Sequence, residues 1–313
     1  MSKSKNLMFD AAHLYYVEHL TMAAISARLG VSRPTVSRLL QNARESGVVT
    51  IQLNEELRPK EPLANRLADL YRVRVHVAQV PAGASETVRM RSVAAAGAKL
   101  LDSLVHHGTV LGVAWGSTVT EVAHFLPKRP LNDVTVVQLN GAGNAHHTGI
   151  PYSGAILGQV ASAYNARMVH FPVPAFFDFA ETKAAMWRER SVRGVLAVQR
   201  SADVALFGVG AFGGSIPSHV YVGGYFDGEQ LASMRLEGIA GDVCTVMIRE
   251  NGTWADLDVN RRATGPTPAE LVKVDRRVCV AAGTHRAAAL RGALKTGVIT
   301  DLVVGSDLAE LLL

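Results

Sequence analysis

The chain has 313 residues, of which 48% are hydrophobic and 19% charged, with a formal net charge of +5 and a pI near 9.3. This is enough apolar material for a sizeable core, it excludes a disordered or fibrous chain, and at roughly 100–200 residues per domain it suggests two domains. Mean hydropathy is +0.15, but no apolar run approaches the roughly 18–20 residues of a membrane helix. The opening MSKSKNLMFDAAH lacks the apolar centre of a signal peptide, so a cytoplasmic protein with no membrane partner is expected.

The charge is unevenly placed. Residues 1–60 hold eight Lys/Arg against five Asp/Glu, so most of the excess lies in the first fifth of the chain. Within residues 21–52, Arg28, Arg33, Arg38 and Arg44 face Glu45 alone, which suits a polyanion partner. Asp10 is expected to cap a helix through AAHLYYVEHL, with Leu14, Val17 and Leu20 inward. A second helix starts near Thr21 and ends at Gly30, which accepts the left-handed turn. Ser32 caps a third, SRPTVSRLLQNARESG, with Pro34 in its first turn and Val36, Leu39 and Leu40 inward. Gly47 ends it, and VVTIQL follows as a short β segment.

Helix, turn, helix and strand in this order predict an all-α winged helix-turn-helix domain over residues 1–54. Its third helix would enter the major groove and offer Ser32, Arg33, Thr35, Ser37, Arg38 and Gln41 to operator DNA. NEELRPKEP carries two prolines and no apolar face, so residues 55–62 read as a linker.

Residues 63–313 form the body. LANRLADLY has helical spacing and VRVHVAQV alternates as a strand. Helix SETVRMRSVAAAGAKLLDSL, strand TVLGVAW, helix STVTEVAHFL and strand VTVVQL follow. Helix SGAILGQVASAYN, strand RMVHFPV, a two-piece helix KAAMWRERSVRGVLAVQ and strand DVALFGVG come next. The strands DVCTVMI, RVCVAAG and DLVVG, with helices HRAAALRGALKTG and SDLAELLL, complete the chain. Alternating β and α predicts a doubly wound α/β fold with a mostly parallel, Rossmann-like sheet covered on both faces. Cys244 and Cys279 sit in apolar runs, which fits buried thiols in a reducing compartment. The histidines have no metal-ligand spacing, so neither metal nor cofactor is expected.

Ligands in such sheets bind at the carboxyl ends of strands. GVAWGSTVTEVA runs a strand into Gly116-Ser117-Thr118 at a helix N-terminus, where a phosphate or carboxylate would fit. VTVVQL ends at Asn140-Gly141, and DVALFGVG ends in a glycine-rich loop with Ser215. Gly241-Asp242 opens the DVCTVMI strand, where Asp242 could accept hydrogen bonds from sugar hydroxyls. Arg286 follows Gly283 and could neutralise a phosphate.

Together these segments resemble the SorC family of sugar-binding transcriptional regulators. The resemblance spans nearly the whole chain and rests on AAISARLGVSRPTVSRLLQNARESGVV, GVAWGSTV, VTVVQLNG, DVALFGVG, GIAGDV and VAAGTHRAAALRGALKTGVITDLVV. It implies an effector domain related to sugar-phosphate isomerases and deaminases, which binds a sugar phosphate or similar metabolite, and a homodimer or homotetramer on operator DNA. It also implies that Gly116, Ser117 and Thr118 match the phosphate loop, Asp242 an acidic residue at sugar hydroxyls, and Arg286 a basic residue near phosphate. The family pattern there is lysine after an AGG-type turn, whereas this chain has AAGTHR, so an unphosphorylated sugar or polyol stays open. The expected function is metabolite-controlled regulation of carbohydrate or polyol metabolism, without catalysis. Two alternatives are an isomerase or deaminase with a DNA-binding appendage, using Asp242, His219 and His285 as proton carriers, and a DNA-binding scaffold without a ligand.

Overall fold

A computed structural model describes residues 3–50, 62–81, 83–144, 146 and 149–313, and the chain divides into two units, Met1–Pro59 and Lys60–Leu313. The first unit contains α1 (Lys3–Tyr16), α2 (Met22–Leu29) and α3 (Arg33–Glu45). Asp10 does not cap α1 but sits inside it, because Met8 also packs on the core and the helix extends upstream. Val17 lies beyond the helix and is 63% exposed. The Thr21 hydroxyl accepts the Ala24 N–H at 3.3 Å, and Gly30 closes α2 at φ 65°. Ser32 caps α3 through the Thr35 N–H, and Pro34 lies in the first turn. Leu14, Ile25, Val36 and Leu40 form the core where the three helices meet, while Leu39 is half-buried at its edge. Of the expected VVTIQL strand, Val48–Thr50 are not extended into a strand, and residues 51–53 lie outside the described residues, as does the predicted linker except Pro62.

The second unit opens with α4 (Pro62–Tyr71), β1 (Arg74–Ala78) and α5 (Glu86–Leu104). It continues through β2 (Val110–Val113), α6 (Ser117–Phe125), β3 (Thr135–Gln138), α7 (Ile150–Tyr164), β4 (Arg167–Val169), α8 (Ala180–Met186), α9 (Arg190–Arg200) and β5 (Val204–Phe207). Then come β6 (Val209–Ala211), α10 (His219–Val222), α11 (Gly228–Leu236), β7 (Ile239–Val243), β8 (Val246–Arg249), α12 (Pro268–Leu271), β9 (Arg276–Ala281), α13 (Ala287–Lys295), β10 (Asp301–Gly305) and α14 (Ser306–Glu310).

Seven strands form a parallel sheet in the order β1-β10-β9-β5-β2-β3-β4. Alternation splits its side chains between two cores. Leu111, Val113, Leu206 and Val280 pack with α5, α6 and α7, while Ala205, Phe207, Cys279 and Ala281 pack with α13 and α14. Both faces are covered, which explains the near-continuous apolar strands. The sequence reading took DVCTVMI as one strand, but it is a hairpin. β7 and β8 pair antiparallel through a turn at Cys244-Thr245 and join β6 in a separate three-stranded sheet.

The amino end of the large sheet is locked by one buried carboxylate. Asp301, 0% exposed, receives Arg74 at 2.7 and 2.9 Å, Arg276 at 2.7 and 3.1 Å, and the Thr300 hydroxyl at 2.7 Å, tying β1, β10 and β9 together. Burial opposes the charge, but these donors outweigh it and hold the carboxyl well below its usual range. Its stabilisation is therefore complete above the ordinary carboxylate pKa of about 3.9 and is lost as pH falls below it. Asp301→Asn is expected to cost about 3 kcal/mol in urea unfolding at neutral pH. The gap to the parent should narrow at pH 3, and a gap that is unchanged or wider there would refute the assignment.

Candidate ligand cleft and recognition helix

β2 and β5 are neighbours, but the next strand of this sheet after β2 is β3, on one side, and the next after β5 is β9, on the other. Parallel sheets open at such a switch point, and a cleft lies there. Gly116 bridges β2 and α6 at φ 154°, a conformation that favours glycine. No side chain caps α6, so the first-turn N–H groups from Ser117 onward are not taken by a cap. Ser117 and Thr118 line the cleft beside Asn140, Gly208, Gly210 and Asp242.

Two buried acceptors give the cleft its polarity. Asn140 is 1% exposed, and its Oδ1 has no hydrogen-bond partner among the described residues. Asp242 is 4% exposed; its Oδ2 accepts the Thr245 N–H at 3.0 Å, while Oδ1 likewise has no partner. Gly210 stands opposite Asp242 in the β6–β7 register, where a Cβ would fall 1.9 Å from Oδ1. Asp242 also closes the β7–β8 turn. Cys244 and Thr245 both have positive φ, at 50° and 71°, which is rare for a β-branched residue and marks stored strain. The Thr245 amide bond to Asp242 holds that turn against the cleft, which Thr245 lines.

Arg286 lines the cleft but is 1% exposed and already engaged. Its Nε, Nη1 and Nη2 donate to the carbonyls of Val209, Ala282 and Ile216 at 3.2, 2.5 and 3.3 Å, and Glu86 Oε1 lies 3.8 Å from Nη1. Glu86 also pins the Ser215 loop, accepting the Ser215 and Ile216 N–H groups at 2.9 and 3.1 Å as well as the Ser215 hydroxyl.

The cleft thus gathers Gly116, Ser117, Thr118, Asn140, Asp242 and Arg286 of the predicted effector residues. Gly141 and Ser215 lie outside its lining. Gly141 instead lets the backbone pass Pro174, whose carbonyl would be 2.2 Å from a Cβ, and its own carbonyl accepts Trp115 Nε1 at 2.8 Å. Ser215 is spent on Glu86. Of the histidines considered as proton carriers, His219 lines the cleft, while His285 sits outside it, 3.5 Å from Glu86. Sequence reading passed over Trp115, Ser218 and Thr245 as lining residues. Trp115 had the best signal, lying directly before Gly116.

On α3, Arg33, Ser37, Arg38 and Gln41 are exposed and Thr35 is half-buried. The Ser32 hydroxyl is shared with Thr35 Oγ1 at 2.8 Å, and Gln41 donates to Glu45 at 2.8 Å. This face is polar and basic, as a groove-reading helix requires.

Burial raises the Asp242 pKa to about 6 against the opposing Thr245 amide, Tyr221 and Arg286. A raised folded pKa gives a contribution that is present below about pH 4 and lost as pH rises through about 6. The stability of the parent relative to Asp242→Asn should therefore fall by about 2–3 kcal/mol between pH 4 and pH 7 in urea titrations. A difference independent of pH would contradict the buried-carboxyl geometry.

Comparison with known proteins agrees with this layout. The family described as "Putative sugar-binding domain" matches residues 58–313, and the MarR family matches residues 11–56. The deoxyribonucleoside regulator of Bacillus subtilis (strain 168) is 28% identical over 99% of this chain and 98% of its own length. The crystal structure of a domain of a "possible sugar-binding transcriptional regulator" from Arthrobacter aurescens TC1 superposes with TM-score 0.75 at 39% identity, covering 82% of this chain and 98% of that one. The full-length sorbitol operon regulator SorC from Klebsiella pneumoniae superposes with TM-score 0.76 at 25% identity, covering 100% and 99%. With a DNA-binding helix-turn-helix before a sugar-binding α/β domain along its full length, the chain belongs to the SorC family of sugar-binding transcriptional regulators.

Proposed function

We propose that this regulator binds a sugar, polyol or sugar phosphate of carbohydrate metabolism in the cleft at the β2 and β5 strand ends, and that binding there changes its grip on operator DNA. The observation that carries this reading is the pair of buried acceptors without partners among the described residues, Asn140 Oδ1 and Asp242 Oδ1, in one cleft. Buried polar atoms are normally hydrogen-bonded, so two of them together call for hydroxyl donors from a ligand. Residues 1–54 serve DNA, 55–62 link, and 63–313 bind effector and self-associate. The ligand is bound and released unchanged, which fits relatives named as regulators. The protein works in the cytoplasm, where its DNA is; no described helix is long and apolar enough to cross a membrane.

One recognition helix covers too little DNA for operator-grade specificity, so a homodimer or homotetramer on two-fold symmetric half-sites is expected. Sedimentation at micromolar concentration tests this; a monomer that still binds operator tightly would refute it. Arg33→Ala and Arg38→Ala should each lose about 1–3 kcal/mol of operator affinity where they read a base, with the fold intact by circular dichroism. Unchanged affinity in both would remove α3 from the interface.

A further inference from the structure

We propose that the chain has a second ligand site, a cavity walled by α8, α9, α12 and the loop before α12, and that it takes a small amphipathic organic anion, an acid group on an apolar body. The site is separate from the strand-end cleft and does not rest on the reading of that cleft.

The lining sets the body of the ligand. The cavity is larger than the cleft, and Leu139, Trp187, Leu196, Pro266, Leu271 and Val274 give it an apolar surface. The donors of its back wall are spent. Gln199 Nε2 donates to the carbonyls of Gln138 and Leu139 at 2.7 and 3.2 Å. The Thr264 hydroxyl donates to the Pro174 carbonyl at 2.9 Å while it accepts the Gly141 N–H at 3.1 Å. The Gly265 N–H donates to Thr245 Oγ1 at 3.3 Å, and a Cβ on Gly265 would lie 1.7 Å from the Cys244 carbonyl oxygen. These bonds hold the wall in the free protein, so the cavity exists before a ligand arrives. They also leave those groups no N–H or O–H for the oxygens of a sugar.

Charge sets the head group. Lys183, Arg200 and Lys273 line the cavity against one carboxylate, Glu270. Glu270 Oε2 already holds the Thr267 N–H and hydroxyl, each at 2.9 Å, in the capping box of α12. Of the three cations, Arg200 and Lys273 are exposed and Lys183 is half-buried. The Lys183 ammonium lies 5.3 Å from the centroid of the Trp187 ring, and no ion pair to a carboxylate neutralises it among the described residues. Burial presses its pKa down, although the charge of Glu270 opposes this. An acid group beside the ammonium returns the stabilisation that burial has taken from it. Lysine reaches such a group as a point charge on a flexible stem, and Trp187 next to it supplies apolar area for the body.

The test is titration of the full chain, by calorimetry and by tryptophan emission, with matched acids and amides: phenylacetate and phenylacetamide, cyclohexylacetate and cyclohexylacetamide, octanoate and octanamide. The expected result is an acid that binds at least about tenfold more tightly than its amide, a preference that Lys183→Met and Lys183→Gln both remove. The emission change should vanish in Trp187→Phe, which still binds the acid by calorimetry. Asn140→Ala should bind the acid as the parent does, which separates this cavity from the cleft. Equal binding of acid and amide, or a preference that survives both Lys183 variants, overturns the anion class. Absence of acid binding, or its loss in Asn140→Ala, overturns the site. An emission change on dilution of the ligand-free protein, abolished by Trp187→Phe, would show a second copy of the chain in the cavity and overturn it as well.

Discussion

The molecule depends on a topological constraint at the middle of its large sheet. β2 and β5 lie side by side and parallel, but the next strands of the sheet after them, β3 and β9, lie on opposite sides, which leaves a switch point between them. The cleft's parts follow from this. Gly116 turns the chain off β2 directly into α6 and brings the helix N-terminus to the rim. On the other side a single residue, Gly208, separates β5 from β6, so the second sheet is carried to the same opening and presents Asp242 from its middle strand.

The two ends of the large sheet use buried carboxylates differently. At the amino end Asp301 is saturated by two arginines and a hydroxyl, a closed arrangement that fixes three strands and offers nothing to a ligand. At the carboxyl end Asp242 is half satisfied. One oxygen holds a strained turn and the other lacks a partner among the described residues. Such an arrangement costs stability in the free protein, and a ligand that donates to it recovers that cost on binding. Because Asp242 is also the cap of the Cys244-Thr245 turn, its carboxylate belongs to the second sheet as well as to the cleft.

Much of this was legible in the sequence because the features are local. Apolar runs ending in glycine or small polar residues mark parallel strands that stop at a site, and Gly116 and Asn140 are legible that way; Asp242 reads instead as the opening of DVCTVMI, whereas β7 starts at Ile239 and holds Asp242 within an antiparallel sheet. The helix-turn-helix was visible for the same reason: Thr21, Gly30, Ser32 and Pro34 each act within four residues of themselves. Features that depend on distant partners were not legible. The β7–β8 turn uses Cys244 and Thr245 at positive φ, without the Gly or Asn that announces a hairpin, so two strands read as one. The commitment of Arg286 to Val209 and Ile216, some 70 residues earlier in the chain, leaves no trace in AAGTHR. Ser215 had the composition of a cleft residue but was claimed by Glu86, more than a hundred positions away. Asp10 looked like a cap because the apolar spacing upstream of it is short, yet Met8 was enough to prolong the helix.

The central claim is that occupancy of the β2/β5 cleft sets operator affinity. Fluorescence anisotropy on an operator duplex, recovered by selection from random DNA, measures this directly when parent and Asn140→Ala are each titrated with and without the tightest cleft ligand. The account predicts that the ligand shifts the parent's operator Kd by about 5–150-fold and that Asn140→Ala, at the same ligand concentration, binds operator as the ligand-free parent does. An equal shift in both proteins, or none in the parent at saturating ligand, would contradict it.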